Sequence, residues 1–310
     1  MNFPPYFTTT AAWSDFWMSA QHDLVDSFLR YNQRIFVWRG PLTSHFWYIP
    51  HLSLTQKQEL NEIIIEAKKQ GVTWITTECA ENFDHSLLPL YRTDALKKLQ
   101  YHATIVLDTN SFVPTTDFNQ IYHQNHAYLL GWSATARRKL KKAMGYGWHV
   151  STEKTPQALT DFLTIYHDTS TRQQFAVHPN AYYETLFSKP ESRIIVLKNT
   201  QGIVCGCWFG YVSTDTLTYL YGGNTTEALD QNGQYCIQLA ALNMAKHEQL
   251  RWYDLGGYEK NTGYGRFKEG FHGILRQFKG PLDIVIDPLK YILVTTAKNI
   301  KQGVKRIRLP

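Results

Sequence analysis

The sequence is poor in cysteine and lacks the spacing that cysteine-based sites require. Its four cysteines form no C-x-x-C pair and are too sparse for a disulfide-stabilised fold; they are Cys79, Cys205, Cys207 and Cys236. Cys205 and Cys207 alternate with Gly206 in an apolar run, which predicts two small residues on one face of a strand. We therefore expect reduced thiols and a cytoplasmic protein.

Long hydrophobic runs and catalytic signatures are also missing. No run approaches the roughly 18 apolar residues of a membrane-spanning helix. The segment MNFPPYFTTTAAW (1–13) lacks the basic region and apolar stretch of a signal peptide. The twelve histidines are scattered, and neither HExxH nor a clustered Cys/His set occurs, so we expect no metal. An enzyme with this sequence would depend on positioning and electrostatics.

What the sequence does contain is a large apolar fraction in a chain of 310 residues. Hydrophobic residues make up 43% and charged residues 19%, as in a globular protein with a substantial core. This length suits one large domain or two ordinary ones.

Basic residues are concentrated in two acid-free segments. Residues 132–150 hold one cluster, namely Arg137, Arg138, Lys139, Lys141 and Lys142. The tail after Asp287 holds a second group, namely Lys290, Lys298, Lys301, Lys305, Arg306 and Arg308. These eleven charges exceed the net charge of +6, so the rest of the chain is acidic. A local positive field of this kind favours a polyanionic partner, such as RNA or an anionic membrane; a solvated helix face is the alternative.

Glycines crowd the segment YDLGGYEKNTGYGRFKEGFHG (253–273) without matching a known phosphate loop. The dinucleotide fingerprint needs a third glycine where Lys268 stands, and a Walker loop needs Lys-Ser/Thr where Phe271–His272 stand. Such glycines allow close backbone approach to a ligand or a neighbouring chain segment.

Two helix–strand units have similar sequences. Residues 55–71 show an i, i+3, i+4, i+7 apolar stripe, a capping box at Thr55 and Gln58, and a terminating Gly71; a strand at 72–77 follows. Residues 232–249 predict a second helix, and 250–257 a second strand. AKKQGVTW (67–74) and AKHEQLRW (245–252) align at an offset of 178 residues. We interpret this as a tandem duplication of an α/β domain.

Between these units the pattern predicts two more helices and a meander. Ser133 is expected to cap a helix with the basic cluster on one face, and Thr155–Pro156 to start another. Residues 193–223 predict three antiparallel strands. We expect the domain boundary near 145–155.

Four segments together resemble the Fem family of aminoacyl-tRNA-dependent transferases, which build peptidoglycan cross-bridges. They are TARRKLKKAMGYGWHV (135–150), YHDTSTRQQF…YY (166–183), LTYLYGGN (217–224) and the glycine-rich segment 253–273. The resemblance implies an α/β fold with two tandem GNAT-like domains at 1–150 and 151–310, each with a mixed sheet and flanking helices. The chain has no room for the helical arm of some members, so it is similar to the shorter FemX type.

The resemblance also implies roles for particular residues. Phe267 and Lys268 would meet the acyl ester and the 3′ end of the aminoacyl-tRNA, the co-substrate; no other cofactor is implied. Arg172 would hold phosphates of the peptidoglycan precursor, Tyr221 would line the precursor site, and Arg39 would contact phosphates from the first domain. The basic cluster would touch the tRNA backbone. The plainer alternatives are an exposed loop lysine, a helix-end arginine that binds carbonyls, and a core tyrosine.

The implied chemistry is aminolysis of an activated ester by an amine of the stem peptide. Proximity and oxyanion stabilisation can supply much of the rate, and Lys268 is suited to the second task. Asp108 and Asp254 are the candidate bases, with substrate-assisted deprotonation equally open. The rival functions are an acyl-CoA-dependent N-acyltransferase and a non-catalytic RNA- or membrane-binding protein. At the position of an acyl-CoA pyrophosphate loop, ALDQNGQY (228–235) has a single glycine, which disfavours the first rival.

Two features concern the acceptor and the membrane. The family's Arg-Gly-Pro segment lies early here, at 39–41, whereas YIPHLSL (48–54) keeps only the proline, so the acceptor pocket is expected to differ. The tail YILVTTAKNIKQGVKRIRLP (291–310) has a short apolar stripe, which predicts a marginal, electrostatic contact with an anionic membrane at the cytoplasmic face.

Overall fold

The computed structural model describes residues 7–40, 42–80, 83–89, 92–94 and 101–307, with side chains of the last helix described up to residue 297. The strands found there are β1 (Leu24–Arg30), β2 (Gln33–Arg39), β3 (His45–Leu52), β4 (Trp74–Cys79), β5 (Arg92–Asp94), β6 (Ala103–Asp108), β7 (His149–Glu153), β8 (Ser192–Lys198), β9 (Val204–Ser213), β10 (Thr216–Asn224), β11 (Trp252–Gly257), β12 (Ile274–Gln277) and β13 (Lys279–Val285). The α-helices are α1 (Ala11–Ala20), α2 (Lys57–Lys69), α3 (Phe118–Gln124), α4 (His126–Leu129), α5 (Ala134–Met144), α6 (Pro156–Gln173), α7 (Asn180–Phe187), α8 (Thr226–Asp230), α9 (Gly233–His247), α10 (Gly263–Glu269) and α11 (Pro288–Ile307).

The chain forms two compact units, each built around one mixed sheet. The first unit comprises Thr8–His102 and the residues from Gln277 onward; the second comprises Phe7 and Ala103–Arg276. The first sheet has the order β1-β2-β3-β4-β13-β5, and the second has the order β12-β6-β11-β10-β9-β8-β7. The predicted fold class, two tandem α/β units with mixed sheets and flanking helices, is confirmed.

The division of the chain differs from the boundary near 150 that we derived from the sequence. Strand β6 pairs antiparallel with β11, which places residues 103–150 in the second unit. Strand β13 pairs antiparallel with β4 and β5, which returns the chain to the first unit. The first unit is therefore discontinuous in sequence, because β13 enters its sheet between β4 and β5 from far along the chain.

The two similar helix–strand units occupy equivalent places in their sheets. Strand β4 follows α2 and pairs in parallel with β3, and strand β11 follows α9 and pairs in parallel with β10. Trp74 and Trp252 are the first residues of the two strands. The repeat recognised from AKKQGVTW and AKHEQLRW therefore corresponds to a repeated α/β crossover, the connection that parallel strands require.

Local capping signals were correct at two helices and wrong at a third. The side chains of Ser133 and Thr155 accept hydrogen bonds from Ala136 N and Ala158 N, as predicted for α5 and α6. Helix α2 instead begins after Gln56, whose side chain makes no cap hydrogen bond, so the capping box at Thr55 is absent. Gly71, at φ +71°, ends this helix in the left-handed conformation expected there.

Each sheet buries an apolar core against its helices. In the first unit, Leu60, Ile63 and Ala67 of α2 pack on one face of the sheet. In the second unit, α5 and α9 pack on the sheet around Leu140, Trp208 and Leu242. Within the described residues, no helix combines the length and the apolar composition needed to cross a membrane. The predicted meander is present, with β8, β9 and β10 antiparallel in order.

Candidate active site

The glycine-rich segment folds into a short helix that turns Lys268 inward. Helix α10 starts at Gly263, directly after Thr262, whose hydroxyl accepts a hydrogen bond from Gly265 N at 2.9 Å. A side chain at Gly265 would meet the carbonyl oxygen of Glu259 at 2.0 Å, so the glycine is required for this tight entry. Lys268 then lies in the last turn with only 8% of its surface exposed.

The Lys268 ammonium is held by a carbonyl and two aromatic rings. Its Nζ donates a hydrogen bond of 2.6 Å to Gly257 O and lies 5.6 Å and 5.5 Å from the ring centres of Tyr219 and Tyr264. Within the described residues it forms no ion pair with a carboxylate. An ammonium has three N–H donors, and one hydrogen bond leaves two for a ligand.

Burial sets the protonation behaviour of Lys268. It lowers the pKa of the amine to about 8, and the charge of Asp254 partly opposes the fall. Asp254 is itself buried; its Oδ1 accepts hydrogen bonds from the Thr104 hydroxyl and from Gly256 N. Burial raises the pKa of Asp254, while those two hydrogen bonds lower it. The resulting lysine is still mainly cationic at neutral pH.

The ladder between β10 and β11 ends beside this lysine. Parallel pairing runs from Thr216↔Trp252 to Thr218↔Asp254 and stops, although both strands continue. Gly256, at φ +71°, brings its backbone so close to Tyr219 that a Cβ would lie 2.2 Å from the Tyr219 carbonyl oxygen. Only glycine fits there, and the Lys268 side chain reaches Gly257 O just past this point.

Phe267 does not share the surroundings of Lys268. Its ring makes edge contacts with Tyr235 at 4.9 Å and with Phe271 at 5.0 Å, and it packs against the core of the second unit. Adjacent positions on a helix point in different directions, which separates the two side chains. The contacts of Phe267 are those of a packing residue.

A bulge in β10 sends Tyr219 and Tyr221 to opposite faces of the sheet. Their partners on β9 are the consecutive residues Gly210 and Phe209, so Leu220 is extra in the ladder. Tyr219 stacks on Trp208 at 5.7 Å, on the face covered by α9. Tyr221 lies on the face covered by α6.

Tyr221 belongs to an aromatic cluster formed by α6, α7 and β10. Its hydroxyl lies 3.0 Å from that of Tyr182, and its ring contacts Tyr166 and Tyr183 at 5.7 Å and 5.3 Å. Burial raises the pKa of Tyr221 well above its ordinary value, so it is a neutral hydrogen-bonding group. His178 stacks on Tyr182 at 3.9 Å, at the exposed rim of the cluster.

Arg172 ends α6 and ties that helix to β10. One guanidinium nitrogen donates to Asn224 O at 2.5 Å, and another contacts Asp168 at 3.3 Å. These contacts match the plainer of the two sequence interpretations, an arginine that binds a carbonyl at a helix end. Arg172 and Tyr221 contact the end and the α6 face of β10, whereas Lys268 contacts Tyr219 on the other face.

The basic cluster lies on α5, where its members differ in exposure. Arg138, Lys141 and Lys142 are exposed, while Arg137 donates to the carbonyls of Leu130 and Trp132 at 2.7 Å and 3.1 Å. Lys139 is half-buried, with its Nζ 6.0 Å from the ring centre of Tyr235. The exposed members form the part of the cluster available to a polyanion.

Asp108, a further candidate in the second unit, is placed apart from this centre. Asp108 lies opposite Trp252, five residues of β11 before Gly257, or about 16 Å along the strand. It forms an exposed pair with Arg251 at 3.9 Å, which disfavours Asp108 as the base. Arg39 ends β2 in the first unit and is exposed. Lys298 to Arg306 of the basic tail have side chains outside the described part, and Arg308 lies beyond it altogether.

Sequence reasoning missed several residues that surround Lys268. Tyr219 and Tyr264 lie in the segments 217–224 and 253–273 but were assigned no role from the sequence, and Thr104 lies 150 positions from its partner Asp254. Thr218, Leu220 and Gly222 alternate with Tyr219 and Tyr221 as in a regular strand. The sequence therefore does not reveal the bulge that places Tyr219 beside Lys268. In the described residues no three His, Cys, Asp or Glu side chains converge to hold a metal ion.

Comparison with known families and folds agrees with this architecture. A family model described as the FemAB family matches residues 96–199 and 195–299, which together span well over half of the chain. No curated protein sequence matches.

Solved structures show the same fold at low identity. The crystal structure of FemX superposes with a TM-score of 0.70 and 14% identity over 93% of this chain and 94% of that one. L-PGS from Bacillus licheniformis gives a TM-score of 0.58 and 12% identity over 88% of each chain. The C-terminal domain (DUF2156) of a putative lysylphosphatidylglycerol synthetase from Agrobacterium fabrum gives 0.59 and 11%, over 94% of this chain and 91% of that chain.

Proposed function

The chain belongs to the FemAB family, and from this premise we propose that it is an aminoacyltransferase. It would move an amino acid from aminoacyl-tRNA to the stem-peptide amine of a peptidoglycan precursor, as in cell-wall bridge formation. The observation that carries the proposal is Lys268, a buried cation that pairs with no carboxylate among the described residues and keeps two N–H donors for a ligand. Lysines are seldom buried this deeply without a partner unless a site uses them.

The reaction needs a cation where negative charge develops. The acceptor amine attacks the ester carbonyl carbon, a C–N bond forms, and the C–O bond to the terminal ribose of the tRNA breaks. The amine loses a proton and the leaving ribose oxygen gains one to become a hydroxyl, so the reaction is balanced without a redox partner. Lys268 would donate hydrogen bonds to the oxyanion or to the adjacent phosphate, where a buried donor is most effective.

The remaining parts of the second unit suit the two substrates. The exposed cations of α5, Arg138, Lys141 and Lys142, would contact tRNA phosphates in a sequence-independent way. Tyr221 and the unused donors of Arg172 would contact the precursor, with Arg39 as a further phosphate contact from the first unit. Aminoacyl-tRNA is the co-substrate and no bound cofactor is required. We place the reaction in the cytoplasm, where aminoacyl-tRNA is made.

A transfer assay with a matched pair of variants tests the proposal. Purified protein is incubated with a pool of charged tRNAs and either UDP-linked or lipid-linked muropeptide, and the product is read by mass. The expected product is the precursor plus one amino-acid residue. Lys268→Met should lower the rate at least a hundredfold, because one oxyanion donor contributes about that factor. Lys260→Met, an exposed lysine of the same segment, is the control and should change little.

The same assay separates the rival functions. Parallel reactions replace the muropeptide by phosphatidylglycerol, or the charged tRNAs by acetyl-CoA. An acetylated product without tRNA dependence would establish the acyl-CoA alternative, and an aminoacylated lipid would move the acceptor from peptide to lipid. Binding of tRNA with no transfer to any acceptor would indicate a non-catalytic RNA-binding protein. Transfer that survives Lys268→Met would remove Lys268 from the mechanism.

A further inference from the structure

Helix α11 presents apolar side chains to solvent instead of burying them. Leu289, Ile292 and Leu293 are 77%, 59% and 62% exposed. They follow the i, i+3, i+4 spacing of one helix face. Tyr291 and Val294 point the other way and are buried in the first unit, where the Tyr291 hydroxyl donates to Asp283 at 2.9 Å. The helix is thus anchored by one side and apolar on its free side.

The same face continues along the helix in sequence. At 3.6 residues per turn, the apolar sequence positions fall within an arc of about 120° that also holds Thr296 and Gly303; they are Leu289, Ile292, Leu293, Ile300, Val304 and Ile307. The sequence from residue 291 onward shows only a short apolar stripe. Because α11 begins at Pro288, Leu289 also belongs to this stripe and lengthens it. The twenty-residue helix is about 30 Å long.

The basic positions of the helix lie outside this arc. By the same periodicity Lys290 and Lys301 follow one edge and Arg306 follows the other, whereas Lys298 and Lys305 fall on the opposite side. No acidic residue occurs after Asp287. An apolar face flanked by cations and free of acids is complementary to an anionic bilayer surface, where apolar side chains enter the acyl boundary and cations stay at the headgroups.

We propose that α11 lies in the plane of an anionic lipid bilayer, with the face of Leu289, Ile292 and Leu293 inserted between the headgroups. This goes beyond an electrostatic contact of the tail, because apolar insertion rather than charge alone holds the helix. It is independent of the transfer reaction.

Vesicle flotation with matched isoleucine variants tests the proposal. The probes are vesicles of equal parts phosphatidylglycerol and phosphatidylcholine, and vesicles of phosphatidylcholine alone. Wild-type protein should float with the anionic vesicles and stay largely bound when salt is raised from 0.15 M to about 1 M, where the Debye length is about 3 Å. Ile292→Glu should weaken binding at least tenfold, and Leu293→Glu should do the same.

The control is Ile65→Glu on α2, because Ile65 is a similarly exposed isoleucine of the same unit, at 54%. It introduces the same charge and should bind as wild type does. Equal binding of Ile292→Glu and wild type, or complete release of wild type by salt, would overturn apolar insertion. Apolar insertion would also be overturned if light scattering showed that the wild-type protein is a dimer and that Ile292→Glu dissociates it, because the face would then join two copies of the chain. Circular dichroism checks that each variant is folded.

Discussion

At Lys268, burial and charge act against each other. Lowering the pKa from its usual 10.5 to about 8 corresponds to about 3 kcal/mol against the charged form. Gly257 O and the rings of Tyr219 and Tyr264 recover part of that free energy. Because burying the charge of Lys268 lowers the stability of the fold, a role in catalysis or binding explains this lysine better than a structural role does.

Asp254 should set the pH range in which Lys268 is charged. The carboxylate raises the pKa of the lysine, so Asp254→Asn should lower it further below about 8. If transfer requires the cation, the basic limb of the pH–rate profile moves to lower pH, by about one unit. The measurement is the transfer rate between pH 6.5 and 9. Asparagine keeps an oxygen for Thr104 and Gly256 N, so the fold should persist.

The control for this shift is Asp108→Asn, which removes an exposed carboxylate at the far end of β6. It should leave the basic limb in place. A uniform fall in rate for Asp254→Asn, with the limb unmoved, would mean that Asp254 only supports the structure.

At the scale of single elements, small local features of β10 and α5 determine which side chains lie on each face of the strand or helix. One extra residue in β10 places Tyr219 with Lys268 and Tyr221 with the α6 cluster. On α5, Ala136, Leu140 and Ala143 are buried, which leaves Arg138, Lys141 and Lys142 on the outer face. An amphipathic helix thereby becomes a cationic surface.

That surface should contribute to tRNA affinity through phosphate contacts. For the double variant Arg138→Gln/Lys141→Gln, the slope of log affinity against log salt should fall by about 1.4 to 1.8 if each side chain neutralises one phosphate. Filter binding of tRNA between 50 and 300 mM salt measures the slope. Lys68→Gln/Lys69→Gln on α2 removes the same charge from two exposed lysines of the first unit. If the slope fell by a similar amount in both double variants, the net charge of the protein, and not contact of α5 with phosphates, would determine the affinity for tRNA.

At the scale of the whole molecule, β13 returns from distant sequence to complete the first unit, whose sheet buries acidic groups. Thr76 of β4 donates a 2.6 Å hydrogen bond to Asp283 of β13, across 207 positions. In the same unit Glu78 has no exposed surface, and its Oε2 accepts a 2.8 Å hydrogen bond from Tyr48. Burial raises the pKa of Glu78 to about 7, and the charge of Asp283 adds to the rise.

The first unit should therefore become less stable as pH rises through the range from 4.5 to 7. Glu78 takes up a proton more readily in the folded state than in the unfolded one, so its contribution is complete below pH 4.5 and lost above about 7. The difference amounts to about 3 kcal/mol. Hydrogen exchange of the β4 amides, corrected for intrinsic rates, should show weaker protection at pH 8 than at pH 5.

Glu78→Gln should remove this pH dependence, because the amide cannot ionise but still accepts from Tyr48. The control is Glu59→Gln, a half-exposed carboxylate of α2 in the same unit, which should retain the wild-type pattern. Equal protection of β4 in the wild-type protein at both pH values would show that Glu78 is not the titrating group.

The sequence by itself determined the elements and the family. Apolar periodicity and cap residues act over a few positions, so α5, α6, α9 and the β8–β10 meander were predictable, as was the repeat of an α/β crossover. The density of glycines singled out the segment that holds the candidate site, and the resemblance to the Fem family implied a role for Phe267 and Lys268 within it. It also indicated a cationic helix at 135–144.

Tertiary structure decided which elements share a sheet and which side chains meet. Strand β6 pairs with β11 and strand β13 with β4, both distant in sequence, because pairing depends on backbone hydrogen bonds between segments that no local pattern encodes. The bulge at Leu220, the packing of Phe267 and the carbonyl bound by Arg172 follow from that pairing. So does the burial of Lys268 near Asp254: desolvation is a property of everything around a residue, and only the folded chain supplies those surroundings.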